Sequence, residues 1–287
     1  MPQTINTNLS SLNAQRNLSS SQSSLAMSMQ RLSSGLRVNS AKDDAAGLSI
    51  AERMNSQVRG MNVAVRNAND AISLSQTAEG ALGRVGDLMQ RMRELAVQSS
   101  NGTNTLQDRA SLNDEFVELA QEATRTLGGT QFNGANILAS TDASTFQIGA
   151  NNNSSIDRIS VDAFNWSDKT DFTTVLGTAV ITGTEVPTVQ ITDAASSQSA
   201  LASIDAAISA VNSQRSSFGA VQNRFENVVS NLMVASENQT AARGRIMDAD
   251  YATETSNLSR ASILQQAGNA MVAQANQLPQ QVLSLLR

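Results

Sequence analysis

Apolar residues recur at intervals of seven in both halves of the chain. Near the start the series comprises Leu18, Leu25 and Leu32. In the second half it comprises Ile204, Val211, Phe218, Phe225 and Leu232. A seven-residue spacing is typical of helices that pack along one narrow seam, as in a coiled coil. The pattern therefore predicts long helices in both halves, whose seams pack against each other.

A break separates the first helix from a second, longer one. The stretch `SSGLRVNSAKDD` contains the stop signal Gly35, and Ser40 or Asp43 is placed to cap the helix that follows. Apolar positions at helical spacing then run from Met54 to Ala96. The second helix is predicted to end near `SSNGTN`.

The pattern changes in the middle of the chain. A third helix is predicted from about Leu106 to Leu127, and Gly128 and Gly129 end it. Beyond it, the alternating runs `TFQIGA` and `DRISVDAF` flank the turn `NNNSS`, which predicts a β-hairpin. Two weaker strands are predicted at `TAVIT` and `VPTVQIT`. The helical period returns at Leu201 and is predicted to break again at `AARGRIMDAD`.

The final segment, Ala261 to Leu286, contains no charged residue. A free surface helix normally carries charged residues on its outer face. Apolar residues recur every seven positions here too, and with the first series they form the predicted assembly seam: Leu18, Leu25, Leu32, Leu264, Met271, Leu278 and Leu285. Narrow stripes of this kind cannot offset an ordering cost of about 1–2 kcal/mol per residue. Both termini are therefore predicted to be disordered in the monomer and helical after self-assembly.

The predicted fold class is mainly α. The N- and C-terminal halves pair to form an elongated, coiled-coil-like helical rod, and a small β-hairpin region lies in the middle. Helices of 45 residues or more would be about 70 Å long at 1.5 Å per residue.

Composition and charge exclude several classes of function. Net charge is −5, with 20 basic and 25 acidic residues, so no basic field would attract nucleic acid or an acidic membrane. The chain has no His and no Cys, which excludes imidazole catalysis and thiolate metal sites. We expect no cofactor, no metal and no enzymatic activity. The paired acidic residues at 43–44 and 248–250 are predicted to cap helices.

Targeting signals and membrane spans are also not expected. The start of the chain lacks the basic and apolar regions of a conventional signal peptide. No stretch approaches about 18 consecutive apolar residues. A membrane-active terminal helix would need basic and aromatic anchors, which the last segment lacks.

The two ends of the chain resemble bacterial flagellin. The amino-terminal stretches that carry the resemblance are `INTNLSSLNAQRNL`, `RLSSGLRVNSAKDDAAGLSIAERM` and `NANDAISLSQTAEGAL`. The carboxy-terminal ones are `FGAVQNRFENVVSNL`, `ENQTAARGRIMDADYATETSNLSR` and `QANQLPQQVLSLLR`. The middle is short for such a protein, and the outer variable domains of larger members are missing.

The resemblance implies a subunit that polymerises into the flagellar filament. It implies export as an unfolded chain by the flagellar type III apparatus. The implied partners are further copies of the chain, cap and hook-associated proteins, and an export chaperone. The alternative within the class is a hook-filament junction protein, which has similar terminal helices.

The resemblance also implies a division into domains. The inner core domain would comprise residues 1–42 and 243–287. The outer core helices would comprise 43–138 and 200–242, and the central β-rich variable segment would comprise 139–199.

Two recognition elements follow from the resemblance alone. Arg91, Leu95 and Glu115 occupy positions that match a site for a vertebrate Toll-like receptor. The alternative is that Leu95 packs in the interior while Arg91 and Glu115 form solvated ion pairs.

The second element is the terminal `VLSLLR`. It resembles the part of flagellin sensed by cytosolic inflammasome receptors, through Leu283, Leu285 and Leu286. The alternative is that these leucines complete the terminal seam.

Overall fold

The computed structural model describes residues 7–162, 164–177 and 189–284, with the backbone alone for 278–284. The described residues form two compact units. The first lies within Met1–Ser56 and Glu237–Arg287, and the second lies within Gln57–Ser236.

The described part of the chain is mainly helical, as predicted. Its six α-helices are α1 (Leu9–Ser34), α2 (Ala45–Ser99), α3 (Leu106–Gly129), α4 (Thr170–Leu176), α5 (Ala194–Met247) and α6 (Tyr251–Ser284). Its four short strands are β1 (Gln131–Phe132), β2 (Ala135–Asn136), β3 (Ser144–Gln147) and β4 (Arg158–Val161).

The first break forms where it was predicted, and the second residue of the acidic pair at 43–44 caps the next helix. Gly35 ends α1 at φ +70°, and its N–H donates to the Arg31 carbonyl. Asp44 caps α2 by accepting from the Gly47 N–H at 2.8 Å. The Asp43 carboxylate instead accepts from the backbone N–H groups of Asn39 and Ser40, so it holds the turn before the helix.

The second unit is built around one hydrophobic core. Side chains from α2, α3 and α5 fill it at helical spacing, and the middle segment packs onto it. Its largest fully buried members include Leu82, Met89, Phe116, Leu127, Trp166, Phe172 and Phe225. Phe146 of β3 meets Phe225 of α5 edge to face, with 5.7 Å between ring centroids. This contact fixes the hairpin against the helices.

The predicted hairpin is confirmed. Strands β3 and β4 pair antiparallel, from Ser144 opposite Val161 to Gln147 opposite Arg158. A second, unpredicted hairpin joins β1 and β2 through Asn133 and Gly134, which have φ values of 51° and 79°. Both residues are in the left-handed region, as a tight two-residue hairpin turn requires.

The structure describes only part of the two weaker strands predicted for the middle. The stretch `TAVIT` lies outside the described residues. Residues 189–192, the described part of `VPTVQIT`, form no strand. Helix α2 and helix α3 bind this segment instead: Ser99 Oγ donates to the Ile191 carbonyl at 2.6 Å, and Ile191 N–H donates to Asn113 Oδ1 at 2.9 Å. The unpredicted α4 buries Phe172.

The first unit contains an antiparallel pair, α1 and α6. The Asn8 side chain donates to the Ala275 carbonyl at one end, and the Tyr251 hydroxyl donates to the Leu32 carbonyl at the other. Helix α5 continues to Met247, so the second break is shorter than predicted and comprises only residues 248–250. Asp250 caps α6 by accepting from Ala252 N–H at 3.0 Å.

Candidate assembly and recognition surfaces

Residues at intervals of seven, most of them small, form the face of α6 that meets α1. These positions are Glu254, Ala261, Gly268 and Ala275. Glu254, Ala261 and Ala275 are buried, and a Cβ added to Gly268 would lie 3.1 Å from Leu18 Cδ1. The missing side chain at Gly268 therefore lets the two helices approach closely.

Hydrogen bonds complete the contact near the start of α1. Asn8 Nδ2 donates to the Ala275 carbonyl at 2.7 Å. Ser11, which is buried, donates from Oγ to Asn276 Oδ1 at 2.7 Å. A buried hydroxyl needs such a partner. The pairing therefore depends on small and uncharged polar side chains as well as on leucines.

The leucines of the predicted assembly seam are less exposed on α1 than the described seam residues of α6. Leu18, Leu25 and Leu32 are half-buried. Leu264 is 50% exposed and Met271 is 63% exposed, so neither packs into the contact with α1. The inward series of α6 lies three residues earlier, because alanine and glycine allow an approach that leucine would block. The Leu278 and Leu283 side chains and residues Leu285 and Leu286 lie outside the described residues.

The first unit thus leaves large apolar side chains in water. They lie on both terminal helices and include Leu9, Leu12, Met27, Met29, Ile263, Leu264 and Met271. Exposed apolar surface on this scale commonly marks a contact with another molecule. Neighbouring positions between 261 and 284 are uncharged. Leu264 and Met271 therefore remain predicted assembly residues, between copies rather than within one chain.

Sequence reasoning missed the small-residue series of α6. Its signal was present, because residues 261, 268 and 275 keep the same spacing as the leucines. Apolar periodicity alone ranks leucine above alanine and glycine, so it did not identify the face that meets α1.

The segments between helices bind each other in the first unit. Arg37 N–H donates to the Met247 carbonyl at 2.6 Å, and its guanidinium donates to the Ile246 carbonyl at 2.8 Å. Ala249 N–H donates to the Gly35 carbonyl at 2.9 Å. These bonds fix the two breaks side by side, next to a small cluster formed by Val38, Ala51 and Met247.

The second unit carries the predicted receptor residues, and it brings two of the three together on its surface. Arg91 donates from Nη2 to Glu115 Oε1 at 2.9 Å and from Nη1 to Glu94 Oε2 at 2.8 Å. Hydrogen bonds to Glu94 and Glu115 raise the pKa of Arg91. Leu95 is only 1% exposed and packs in the core. The exposed feature is therefore an ion-pair network that links α2 and α3.

The described residues contain neither a candidate metal site nor a candidate membrane-spanning helix. No group of three or more acidic residues there is arranged to hold a metal ion. None of the described helices combines the length and the hydropathy needed to cross a bilayer. Long helices, small-residue packing and exposed apolar faces together define a helical structural protein.

Comparisons with known proteins identify the family. Residues 5–143 match the bacterial flagellin N-terminal helical region, and residues 201–286 match the bacterial flagellin C-terminal helical region. A flagellin from Halalkalibacterium halodurans is 48% identical over 284 residues, which cover 99% of each chain. A flagellin from Serratia marcescens is 41% identical, with 100% of both chains covered.

The chain therefore belongs to the bacterial flagellin family, whose members are structural subunits of the extracellular flagellar filament used for motility. Among solved structures, one described as a flagellar hook-associated protein from Vibrio parahaemolyticus has a TM-score of 0.56. It is 11% identical, and the match covers 72% of this chain and all of that one. At this identity the likeness concerns the fold alone.

Proposed function

We propose that this chain polymerises into the filament through α1 and α6, and that both terminal helices become stably ordered only on assembly. The observation that carries the proposal is the outward face of the first unit. There, apolar side chains such as Leu264 and Met271 are exposed on a helix with no charge from 261 to 284. A second copy covering this face would bury the apolar area without bringing like charges together.

The energetics of the terminal pair support order that depends on assembly. Helices α1 and α6 contain 26 and 34 residues, and ordering them costs about 1–2 kcal/mol per residue. The α6 face that meets α1 consists largely of alanine and glycine, which bury little area at about 25 cal/mol per Å². Gly268 and Pro279 weaken an isolated helix further.

We propose that the chain divides into an inner core domain, an outer core and a variable segment. The inner core domain comprises residues 1–42 and 243–287, the outer core comprises 43–138 and 200–242, and the variable segment comprises 139–199. The compact first unit, which includes both terminal helices, is consistent with the proposed inner domain.

Seeded polymerisation tests the proposal. Full-length chain, a chain lacking residues 1–40 and a chain lacking residues 253–287 are each added to short filament seeds and followed by electron microscopy. We expect long tubes from the full chain only, while both truncated chains remain monomeric and retain the folded second unit. Equal growth by either truncated chain would contradict a role of the terminal helices in assembly.

The same assay separates a filament subunit from a hook-filament junction protein. A filament subunit extends seeds without limit, whereas a junction protein stops at a short ring. The match to the Halalkalibacterium halodurans flagellin covers 99% of each chain. This supports a filament subunit rather than a junction protein.

Export and delivery are proposed from family membership. The chain would leave the cell unfolded through the flagellar type III apparatus, held by a chaperone that binds the carboxy-terminal segment as an amphipathic helix in a groove. Cap and hook-associated proteins would then be its partners at the growing end. A chain lacking residues 253–287 should lose co-purification with the chaperone.

We further propose that a vertebrate Toll-like receptor recognises the surface around Arg91 and Glu115. The exposed ion pair between α2 and α3 supports a contact there. Leu95 is buried and would act by holding α2 in place. In a receptor reporter assay, Arg91→Ala should lower potency by roughly tenfold or more, as for an arginine hot spot. The matched Arg125→Ala, which removes an exposed pair within α3, should leave potency unchanged.

The proposed inflammasome element is the terminal `VLSLLR`, through Leu283, Leu285 and Leu286. This proposal rests on the family alone. Replacing the three leucines by alanine should abolish cytosolic sensing of the delivered chain. Unchanged activity in the Toll-like receptor assay would show that the altered chain remains intact.

A further inference from the structure

A groove of about 370 Å³ lies between α1 and α6 in the first unit. Serine hydroxyls of α1 line one side of it, including Ser24, while Arg31, Glu254 and Arg260 contribute charged groups. Leu264 of the predicted assembly seam lies at the edge of this groove.

The charged pair in the groove lacks hydrogen bonds. Glu254 is only 7% exposed, and its Oε2 lies 3.8 Å from Arg31 Nη1, beyond hydrogen-bond distance. None of the described residues donates a hydrogen bond to the Glu254 carboxylate. Likewise, Arg31 Nε is buried and has no acceptor among them. A buried N–H is almost always hydrogen-bonded, so Arg31 Nε, next to the Glu254 carboxylate, is placed to bind a further acceptor.

The unpartnered Arg31 Nε and the neighbouring Glu254 carboxylate restrict the chemistry of that ligand. Glu254 would repel an anion, and Arg31 with Arg260 would repel a cation. A carboxamide carries both an acceptor oxygen and an NH₂ donor in one plane. Its oxygen can accept from Arg31 Nε while its NH₂ group donates to the Glu254 carboxylate. A neutral carboxamide therefore complements the groove better than either kind of ion.

Helix α6 itself presents suitable carboxamides on its outer face. Gln266, Asn269 and Gln274 are exposed, and none has a hydrogen-bond partner among the described residues. We propose that the groove of one chain binds a carboxamide side chain from α6 of a second copy. This inference rests on the proposed polymerisation and names a specific contact within it.

Cross-linking between copies tests the contact, because the chain has no cysteine of its own. Met27→Cys places a thiol at the groove, one turn before Arg31, and Ala26→Cys places one beside it on α1 but outside the groove. Each full-length variant is mixed with Gln266→Cys, Asn269→Cys or Gln274→Cys, polymerised on seeds, and treated with a short bismaleimide.

We expect Met27→Cys to form covalent dimers with at least one of the three α6 variants. The yield should be several-fold above that of Ala26→Cys, and no dimer should form in unseeded monomer. Normal tubes in which Met27→Cys cross-links to none of the three, or no better than Ala26→Cys, would overturn the contact alone. If the unsubstituted chain fails to extend seeds, the proposed polymerisation fails and the contact falls with it.

A second measurement tests the chemistry of the pair. Glu254→Ala removes the acceptor and should raise the critical concentration for polymerisation about tenfold, the scale of one lost hydrogen bond to a charged group. Glu254→Gln, which keeps an acceptor oxygen, should have a smaller effect. Glu237→Ala, at an exposed site of the same unit, should change it less than about twofold. An unchanged critical concentration for Glu254→Ala would overturn the proposal.

Discussion

Gly268 shows how one absent side chain controls the packing of the terminal helices. A Cβ there would lie 3.1 Å from Leu18 Cδ1. We predict that Gly268→Leu forces α1 and α6 apart and lowers the free energy of unfolding of the first unit by about 1–3 kcal/mol, as overpacking does. Loss of hydrogen-exchange protection along α6 measures the effect.

The matched control is Gly80→Leu in α2. A Cβ at Gly80 would meet no atom within 4 Å. Leucine has the higher helix propensity, so this change should be neutral or stabilising by up to about 1 kcal/mol. Equal destabilisation by both substitutions would mean that the contact with Leu18 does not determine the result.

Asp250 links the order of α6 to pH. Hydrogen bonds from the Thr253 hydroxyl and the Ala252 N–H lower the pKa of Asp250 below its ordinary value of 3.8. The pKa of Asp250 is lower in the folded chain than in the unfolded chain. The cap therefore contributes its full stabilisation well above pH 3.8, and this stabilisation is lost as the pH falls from 3.8 to the folded-state pKa. We predict that Asp250→Asn makes the helicity of the first unit less dependent on pH between about 5 and 2.

Circular dichroism melts at several pH values check this prediction. Asp70→Asn is the control, since Asp70 is exposed within α2 and accepts no hydrogen bond from the described residues. It should leave the pH profile unchanged. A profile for Asp250→Asn that is as steep as that of the unsubstituted chain would show that the cap does not contribute.

The junction of α2, α3 and α5 depends on one buried cation. Arg109 is buried, and its guanidinium donates to the carbonyls of Ser99, the last residue of α2, and of Asn101. A positive charge at a helix C-terminus is favourable, and no other described residue donates to the Ser99 carbonyl. We predict that Arg109→Met lowers the free energy of unfolding of the second unit by about 1–3 kcal/mol in urea titrations. Arg125→Met, at an exposed site of α3, should change it by less than about 0.5 kcal/mol.

The same elements show what the sequence could predict. The long helices and the hairpin of β3 and β4 follow from local periodicity, so their positions were predicted correctly. The remaining features depend on the residues that each segment contacts in the folded chain. Residues 189–192 have a strand-like composition, yet Ser99 and Asn113 bind the backbone of Ile191, and none of the described strands pairs with this segment. Helix α6 likewise turns its small residues inward, because close approach to Leu18 outweighs the burial of Leu264.

The two compact units differ in what stabilises them. The second unit has a continuous core with large residues such as Phe116, Trp166 and Phe225. The first has the small cluster of Val38, Ala51 and Met247, together with the α1 and α6 contact. Because free energy from burial scales with apolar area, we predict that the first unit unfolds at a lower urea concentration than the second.

The chain carries one natural probe in each unit, which makes this prediction measurable. Its single Tyr is Tyr251 in α6, and its single Trp is Trp166, which is buried in the core of the second unit. Tyrosine emission should change in the first transition and tryptophan emission should shift to the red only in the second. Gly268→Leu should move only the first midpoint and Arg109→Met only the second. If either substitution moves both midpoints together, the units unfold as one cooperative body, and the terminal helices would then lack the independent marginal stability that order on assembly requires.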